Sequence, residues 1–208
     1  YLKLNYSVFK FPEFCVLNHD LNYSGTCFYV AAAGITISGG NATHGYNLTG
    51  EGWGDGIDIV GYNGTIIANF SNITNFSTGI YVSGANFTSR NNVIKENELY
   101  DIEFVPTSTD DCASVVTNTT GSGNNLIAFN GSTAFSDVLG LYSEIILCDA
   151  DNSNLNGTRV QASSVWKNNG IFVYYTNDSN FTNVTSSGNY QGLYLEYSNN
   201  NNLRNSTA

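Results

Sequence analysis

The sequence of 208 residues contains no methionine, two prolines, two histidines and only seven lysines and arginines. Against these stand 17 aspartates and glutamates, which give a formal net charge of −10. The chain therefore has no basic patch to neutralise a phosphate backbone, and a nucleic acid is excluded as the expected partner. His19 and His44 have no second histidine or cysteine at ligand spacing, so no metal site is predicted from them.

Long apolar segments are also missing. No run reaches the roughly 20 residues that cross a bilayer, and no membrane span is predicted. The chain begins at Tyr1 without the basic and apolar regions of a secretion signal, so we expect that a signal has been removed from a secreted or cell-surface protein. Only 12% of the residues are charged whereas 41% are hydrophobic, a balance that predicts a folded domain.

The four cysteines form an even set without the CxxC spacing of zinc or thioredoxin-type sites. They predict two disulfides between neighbours in the sequence, Cys15 with Cys27 and Cys112 with Cys148. Each would close a loop worth about 3 to 4 kcal/mol in the chain-entropy model. Four buried free thiols are the alternative, but the other features indicate an oxidising compartment.

A repeat of 22 to 23 residues runs through the chain. Gly-Ile-Phe-Val at 170–173 returns as Gly-Leu-Tyr-Leu at 192–195, and Gly-Ile-Asp-Ile at 56–59 returns as Gly-Ile-Tyr-Val at 79–82. Within each unit the apolar residues alternate over a few positions and are then interrupted by Gly, Asn or Ser, without a helical period. Units of this kind predict the coils of a right-handed parallel β-helix, which is an all-β solenoid.

The same fold accounts for the 31 asparagines. Bends between the strands of a coil need residues that tolerate positive φ, and asparagine does so better than most. Asparagines at equivalent bends are expected to stack into ladders, in which each side-chain amide bonds to the coils above and below.

Breaks in the repeat divide the chain into four regions. Alternating apolar residues near the start predict a strand and cap, which solenoids need at their ends; these residues are Leu2, Leu4, Tyr6 and Val8. The predicted regions are an N-terminal strand and cap at 1–26, coils at 27–103, an irregular insertion at 104–142, and coils with an uncapped C-terminal end at 143–208.

The repeat units resemble the NosD-like right-handed parallel β-helix proteins of archaeal and bacterial cell surfaces. The resemblance is carried by the Gly-Ile-Tyr-Val, Asn-Asn and Phe-Thr-Asn-Val units and by the opening segments 21–28, 35–37 and 46–50. It covers 15–103 and 143–208 and implies the fold, while the family includes sugar-active enzymes, accessory proteins and adhesin-like chains. Copper is not carried over from the family name, because the chain lacks the methionine ligands favoured by cuprous ions.

The strongest chemical signal is the N-glycosylation acceptor Asn-X-Ser/Thr, which occurs at 16 asparagines, more than twice as often as chance would give. The alternative is that these asparagines and threonines serve the ladders of the fold alone. The predicted sites are Asn5, Asn22, Asn41, Asn47, Asn63, Asn69, Asn72, Asn75, Asn86, Asn118, Asn130, Asn156, Asn177, Asn180, Asn183 and Asn205.

Catalytic candidates are few. Glycoside cleavage needs paired carboxylates on one face, but Asp110 and Asp111 form the only adjacent acidic pair, and Asp55 and Asp58 flank a repeat strand. The Asn-Thr-Asp and Gly-His-Gly units of polygalacturonases are absent. No catalytic residue is predicted.

Two features of the C-terminal region point to ligands or partners. Asp149 and Asp151 form a turn that suits calcium, the one predicted cofactor besides covalent glycans. Aromatic residues crowd the last two coils and predict either a core stack or an exposed strip that packs on sugars or subunits; they are Tyr174, Tyr175, Tyr190, Tyr194 and Tyr197.

Together these features predict an extracellular structural glycoprotein, a rigid rod without enzymatic activity. Unpaired strand edges at 202–208 would pair with the N-terminal strand of the next subunit and build a head-to-tail fibre. The alternative is a carbohydrate-binding or carbohydrate-active protein of lyase or hydrolase type, in which the six aspartates named above would converge.

Overall fold

The computed structural model describes residues 14–41, 43–161, 169–189 and 191–208. Parallel sheets stack there as a β-solenoid of about eight turns, which confirms the predicted all-β parallel β-helix. Most of the predicted N-terminal strand, including Leu2 and Val8, lies outside the described residues. Within the described ranges, no helix is long and apolar enough to cross a membrane.

Three parallel sheets form the coils of the N-terminal part. Sheet A consists of β1 (Phe14–Val16), β4 (Thr36–Ser38), β9 (Thr65–Ala68), β12 (Phe87–Arg90) and β14 (Val115–Thr117). Sheet B consists of β2 (Leu21–Asn22), β7 (Asn47–Thr49) and β10 (Asn72–Thr74). Sheet C consists of β3 (Phe28–Val30), β8 (Asp55–Val60), β11 (Thr78–Ser83) and β13 (Tyr100–Val105). A small antiparallel sheet D joins β5 (Gly40–Asn41) to β6 (His44–Gly45).

Two further parallel sheets form the C-terminal part. Sheet E contains β15 (Leu126–Gly131), β17 (Leu141–Cys148), β19 (Arg159–Gln161), β20 (Ile171–Tyr174), β22 (Thr185–Ser187) and β23 (Leu193–Glu196). Sheet F contains β16 (Ser136–Val138), β18 (Asn154–Asn156), β21 (Asn180–Thr182) and β24 (Asn202–Arg204). Two 3-10 helices, Thr109–Ala113 and Ser122–Asn124, lie with β14, β15 and β16 in the stretch predicted as an irregular insertion.

The repeat in the sequence sets the register in which the coils stack. Ile57, Ile80 and Ile102 form one row across β8, β11 and β13, and Phe172 of β20 pairs with Tyr194 of β23. Equivalent positions of successive repeats therefore lie directly over one another, as the period predicts.

An asparagine ladder runs along the bend that follows sheet A. Asn69, Asn91 and Asn118 all have positive φ, at 58°, 54° and 46°. The Asn118 side-chain amide donates a hydrogen bond to the Asn91 oxygen at 2.8 Å, and Asn91 donates to Asn69 at 3.3 Å. The predicted role of asparagine in bends and ladders is confirmed here.

Sheets C and E are buried in different ways. In sheet C the inward residues Ile80 and Val82 are fully buried, while the outward Tyr81 between them is partly exposed. In β20 of sheet E, all four residues are buried: Ile171 and Val173 belong to the core of the C-terminal part. The opposite face of the strand, Phe172 and Tyr174, packs against the core of the N-terminal part. Sheet E is therefore the junction between two hydrophobic cores.

One of the two predicted disulfides is formed. Cys112 and Cys148 are joined, which links the first 3-10 helix to the end of β17. The predicted bond between Cys15 and Cys27 is absent, and both are free thiols packed against the N-terminal core. Burial raises the pKa of Cys27 to about 11, and Cys15 adds to the rise. Cys15 lies on β1 of sheet A, whereas Cys27 directly precedes β3 of sheet C, so nearness in sequence alone was an insufficient guide to the pairing.

Candidate functional site

The structure describes all the predicted glycosylation sites except Asn5, and none of the described ones is buried. Asparagine residues that are fully buried do occur, but all three of them lie outside Asn-X-Ser/Thr sequences: Asn92, Asn97 and Asn169. The exposed predicted sites are Asn22, Asn41, Asn63, Asn75, Asn118, Asn156, Asn180, Asn183 and Asn205, and the partly exposed ones are Asn47, Asn69, Asn72, Asn86, Asn130 and Asn177.

The buried asparagines satisfy backbone groups inside the bends. The Asn92 oxygen accepts the Phe70 amide at 3.0 Å, and its nitrogen donates to the Ile67 carbonyl at 3.0 Å. The buried asparagines thus connect the coils from inside, whereas those of the described Asn-X-Ser/Thr sequences lie at the surface, where some of them, such as Asn69 and Asn118, also belong to a ladder.

The predicted glycosylation sites avoid part of the surface. None lies on the strands of sheet C, and none lies on β17, β20 or β23 of sheet E. These strands carry no asparagine that could hold a glycan over the junction between the two cores.

The acidic pair Asp55 and Asp58 lies on β8 of sheet C. Burial, reinforced by the charge of Asp55, raises the pKa of Asp58 to about 6. One oxygen of Asp58 is buried without a hydrogen-bond partner in the described part of the chain. The raised pKa therefore reflects poor solvation and not catalytic pairing.

The other predicted aspartates lie elsewhere. Asp110 and Asp111 belong to the first 3-10 helix, where an Asp111 oxygen accepts the Thr107 amide at 2.7 Å. Asp149 and Asp151 lie in the turn after β17, and the Asp151 carboxylate accepts the Asn177 amide. The six aspartates are thus spread over sheet C, a helix and a turn instead of forming one cluster.

Predicted calcium binding has no ligand cluster to support it. Within 14–41, 43–161, 169–189 and 191–208, no three aspartate, glutamate, histidine or cysteine side chains are grouped closely enough to hold a metal ion. The calcium assignment to Asp149 and Asp151 stays a prediction.

A cleft that the sequence did not predict lies at the junction, between β13 of sheet C and β20 and β23 of sheet E. β13 has one paired strand in the described residues, β11, so its other edge faces sheet E. The cleft has a volume of about 190 Å³ and is lined by Tyr100, Ile102, Glu103, Phe104, Val105, Ile146, Phe172, Tyr174, Gln191, Tyr194 and Glu196.

Five aromatic side chains line the cleft: Tyr100, Phe104, Phe172, Tyr174 and Tyr194. The Tyr100 and Phe172 ring centroids are 6.2 Å apart, and those of Tyr174 and Tyr194 are 5.9 Å apart at 59°. Phe172 and Tyr174 lie parallel, with centroids separated by 6.5 Å. These distances fall in the range of attractive aromatic pairs, so the rings hold one another in a fixed arrangement.

Two carboxylates join the aromatic rings. A Glu103 oxygen accepts the Thr78 hydroxyl at 3.3 Å, and a Glu196 oxygen accepts the Tyr194 hydroxyl at 3.1 Å. Burial raises the pKa of Glu103, the nearby charge of Asp55 adds to the rise, and the Thr78 hydrogen bond offsets part of it. Burial, followed by the Glu196 carboxylate, raises the pKa of Tyr194.

A third carboxyl group, Glu144 of β17, is fully buried close to the cleft. Neither of its oxygens has a hydrogen-bond partner in the described residues. Burial raises its pKa well above the usual value, and the charge of Asp101 adds to the rise. The nearby Ile102 amide lowers the pKa of Glu144 in part, although the two groups do not form a hydrogen bond. Burial therefore favours the uncharged form of the Glu144 carboxyl group.

The aromatic crowding in the sequence indicated part of this site. Tyr174 and Tyr194 line the cleft, whereas Tyr175 and Tyr197 stack on each other with centroids 5.0 Å apart, and Tyr190 lies outside the described residues. Glu103 and Glu196 were not predicted as site residues, because the sequence repeat does not indicate that the edge of one sheet packs against the face of another.

Comparisons with known protein families, with curated proteins and with solved structures give no significant match. What the chain shares with the NosD-like proteins is thus the β-solenoid arrangement, and membership of that family stays a prediction.

Proposed function

We propose that this chain is an extracellular, N-glycosylated structural protein of the NosD-like β-helix type. The observation that carries the proposal is the division of the asparagines: the described Asn-X-Ser/Thr sites all have exposed or partly exposed side chains, and the fully buried asparagines all lie outside such sites. The disulfide between Cys112 and Cys148 is consistent with an oxidising compartment.

Intact mass spectrometry of the protein from its native source, before and after enzymatic or chemical deglycosylation, tests the proposal. We expect a mass above that of the polypeptide, distributed over several sites, that returns to the polypeptide mass on treatment. An unmodified chain from the native source would contradict the glycoprotein assignment.

Head-to-tail self-association belongs to the same proposal. Successive coils of the described solenoid are joined by parallel strand pairing, and the same edge-to-edge pairing can join one chain to the next. Analytical ultracentrifugation over a range of concentrations should show assembly that Leu203→Asp reduces. A wild-type chain that stays monomeric at high concentration would contradict it.

The carbohydrate-active alternative depended on the convergence of six aspartates. The structure distributes them over three separate places. We therefore do not propose a glycosidase or lyase activity.

A further inference from the structure

The cleft at the junction has a chemical character of its own. Its lining combines five aromatic rings with the carboxylates Glu103 and Glu196, and none of the described residues that line it is a lysine, arginine or histidine. The four described basic residues, Arg90, Lys95, Arg159 and Arg204, lie on other strands and turns. No cationic side chain of the described chain therefore neutralises the carboxylates of the cleft.

The surroundings also disfavour an anionic ligand. Glu103 and Glu196 both line the cleft, and no basic side chain of the described residues lies with them. Two carboxylates without a counter-ion make the potential of the cleft negative, which attracts positive charge and repels carboxylates and phosphates.

The size of the cleft limits the ligand. A volume of about 190 Å³ corresponds to about six water molecules in the liquid. That space suits a quaternary ammonium head or the end of an arginine side chain, and it is too small for an oligosaccharide.

We propose that the cleft binds an organic cation, a substituted ammonium or a guanidinium group, between the rings of Tyr100, Phe172 and Tyr194 and the carboxylates of Glu103 and Glu196. Aromatic faces attract cations through their quadrupole, and the attraction strengthens where water is displaced. The hydrogen bond from Tyr194 holds the Glu196 carboxylate beside the ring, so charge and aromatic surface act on the same ligand. The described strands around the cleft carry no predicted glycosylation site that would place a glycan over it.

The ligand can come from two sources, a free small cation or a basic side chain of a partner protein. Two probes separate them: choline for the first, and N-acetyl-arginine amide for the second. Their neutral counterparts, 3,3-dimethylbutanol and N-acetyl-citrulline amide, have nearly the same shape without the charge. Binding to the full chain is followed by NMR through the backbone signals of Gln191 and Glu196.

We expect at least one cation to bind at the cleft more tightly than its neutral counterpart, and to bind more weakly as salt is added. The response to choline alone identifies a free cation as the source, and the response to the arginine probe identifies a basic side chain. Equal binding of charged and neutral partners would overturn the proposal, as would no shift with either cation.

Variants locate the binding. Glu196→Gln keeps the shape of the side chain without its charge, Tyr194→Leu replaces the ring by a smaller apolar side chain, and each should weaken cation binding about two- to fivefold. Glu98→Gln removes an exposed carboxylate outside the cleft lining and serves as the matched control. If Glu98→Gln weakened binding as much as Glu196→Gln, the effect would be that of net charge and the cleft would not be the site.

Discussion

Strands β11 and β20 occupy equivalent positions of the repeat and differ in one respect that decides their packing. Both read Gly-Ile-aromatic-Val, with Tyr81 on β11 and Phe172 on β20 as the outward residue. Tyr81 faces outward and is partly exposed, whereas Phe172 is 5% exposed against the other core. One repeat unit therefore serves both as a solvent-facing sheet and as a junction.

The two strands share a backbone pattern, so their side chains alone show whether the outward face of the strand is also buried. Strands covered on both faces are expected to be apolar throughout, and half-covered ones to alternate. β17 ends in Ile-Ile-Leu-Cys and β20 reads Ile-Phe-Val-Tyr, while β8 reads Ile-Asp-Ile-Val over its last four residues. The loss of alternation thus marks the junction.

The largest expected effect concerns Phe172 itself. Phe172→Ala should lower the free energy of unfolding by about 3 to 5 kcal/mol, because it opens a cavity between two cores. Tyr81→Ala, the matched change at the equivalent position of sheet C, should cost about 1 kcal/mol or less. Urea unfolding followed by circular dichroism measures both, and equal losses would show that the two strands are buried alike.

The disulfide gives the next largest effect. Replacing Cys112 and Cys148 by alanine should lower the free energy of unfolding by about 4 kcal/mol, because the bond closes a loop across a sequence separation of 36 residues. The same replacement at Cys15 and Cys27, which are free thiols, should cost less than half as much. Thiol titration of the wild type in urea without reductant should find two thiols. A count of zero would mean that the second bond forms after all.

The asparagine ladder provides a smaller effect. Asn91→Ala should destabilise the chain by about 1 to 2 kcal/mol, because alanine is strained at positive φ and the two ladder hydrogen bonds are lost. Asn91→Gly removes the same bonds without the strain and should cost about half as much. Asn91 lies outside any glycosylation sequence, so urea unfolding of both variants is free of a change in glycan. Equal losses of stability in Asn91→Ala and Asn91→Gly would show that backbone strain does not contribute to the effect.

The last expected effect depends on pH and concerns Glu144. Burial raises its pKa well above 4.5, so the folded chain binds the proton more tightly than the unfolded chain, and stability falls as the pH rises from about 4.5 toward the pKa of the folded state. Glu144→Gln should therefore match the wild type below about pH 4.5 and exceed it in unfolding midpoint by a growing margin as the pH rises.

Asp58→Asn of sheet C is the control for Glu144. The pKa of Asp58 rises only from 3.8 to about 6, so the gain of this variant should develop between those values and stay constant above them. Parallel pH curves of wild type and Glu144→Gln would contradict the raised pKa of Glu144.

Much of the fold could be predicted because a solenoid repeats its contacts locally. Each coil packs on the next, so Ile57, Ile80 and Ile102 need only their spacing in the chain to reveal that they stack. The positive φ of Asn69, Asn91 and Asn118 follows from the same spacing and from the tolerance of asparagine for that conformation. The sequence by itself determined the coil, its bends and the sequence pattern for glycosylation.

Only the tertiary structure decided how the two cores meet. The outward face of sheet E packs against the end of the N-terminal part. This contact joins positions that are not equivalent in the repeat, so the period of the sequence does not reveal it. That contact buries Glu144, brings Glu196 into the same cleft as Glu103 and selects which cysteines are joined. Such long-range packing depends on the shapes of both surfaces at once, and this is why the cleft was absent from the sequence pattern while the coils were visible in it.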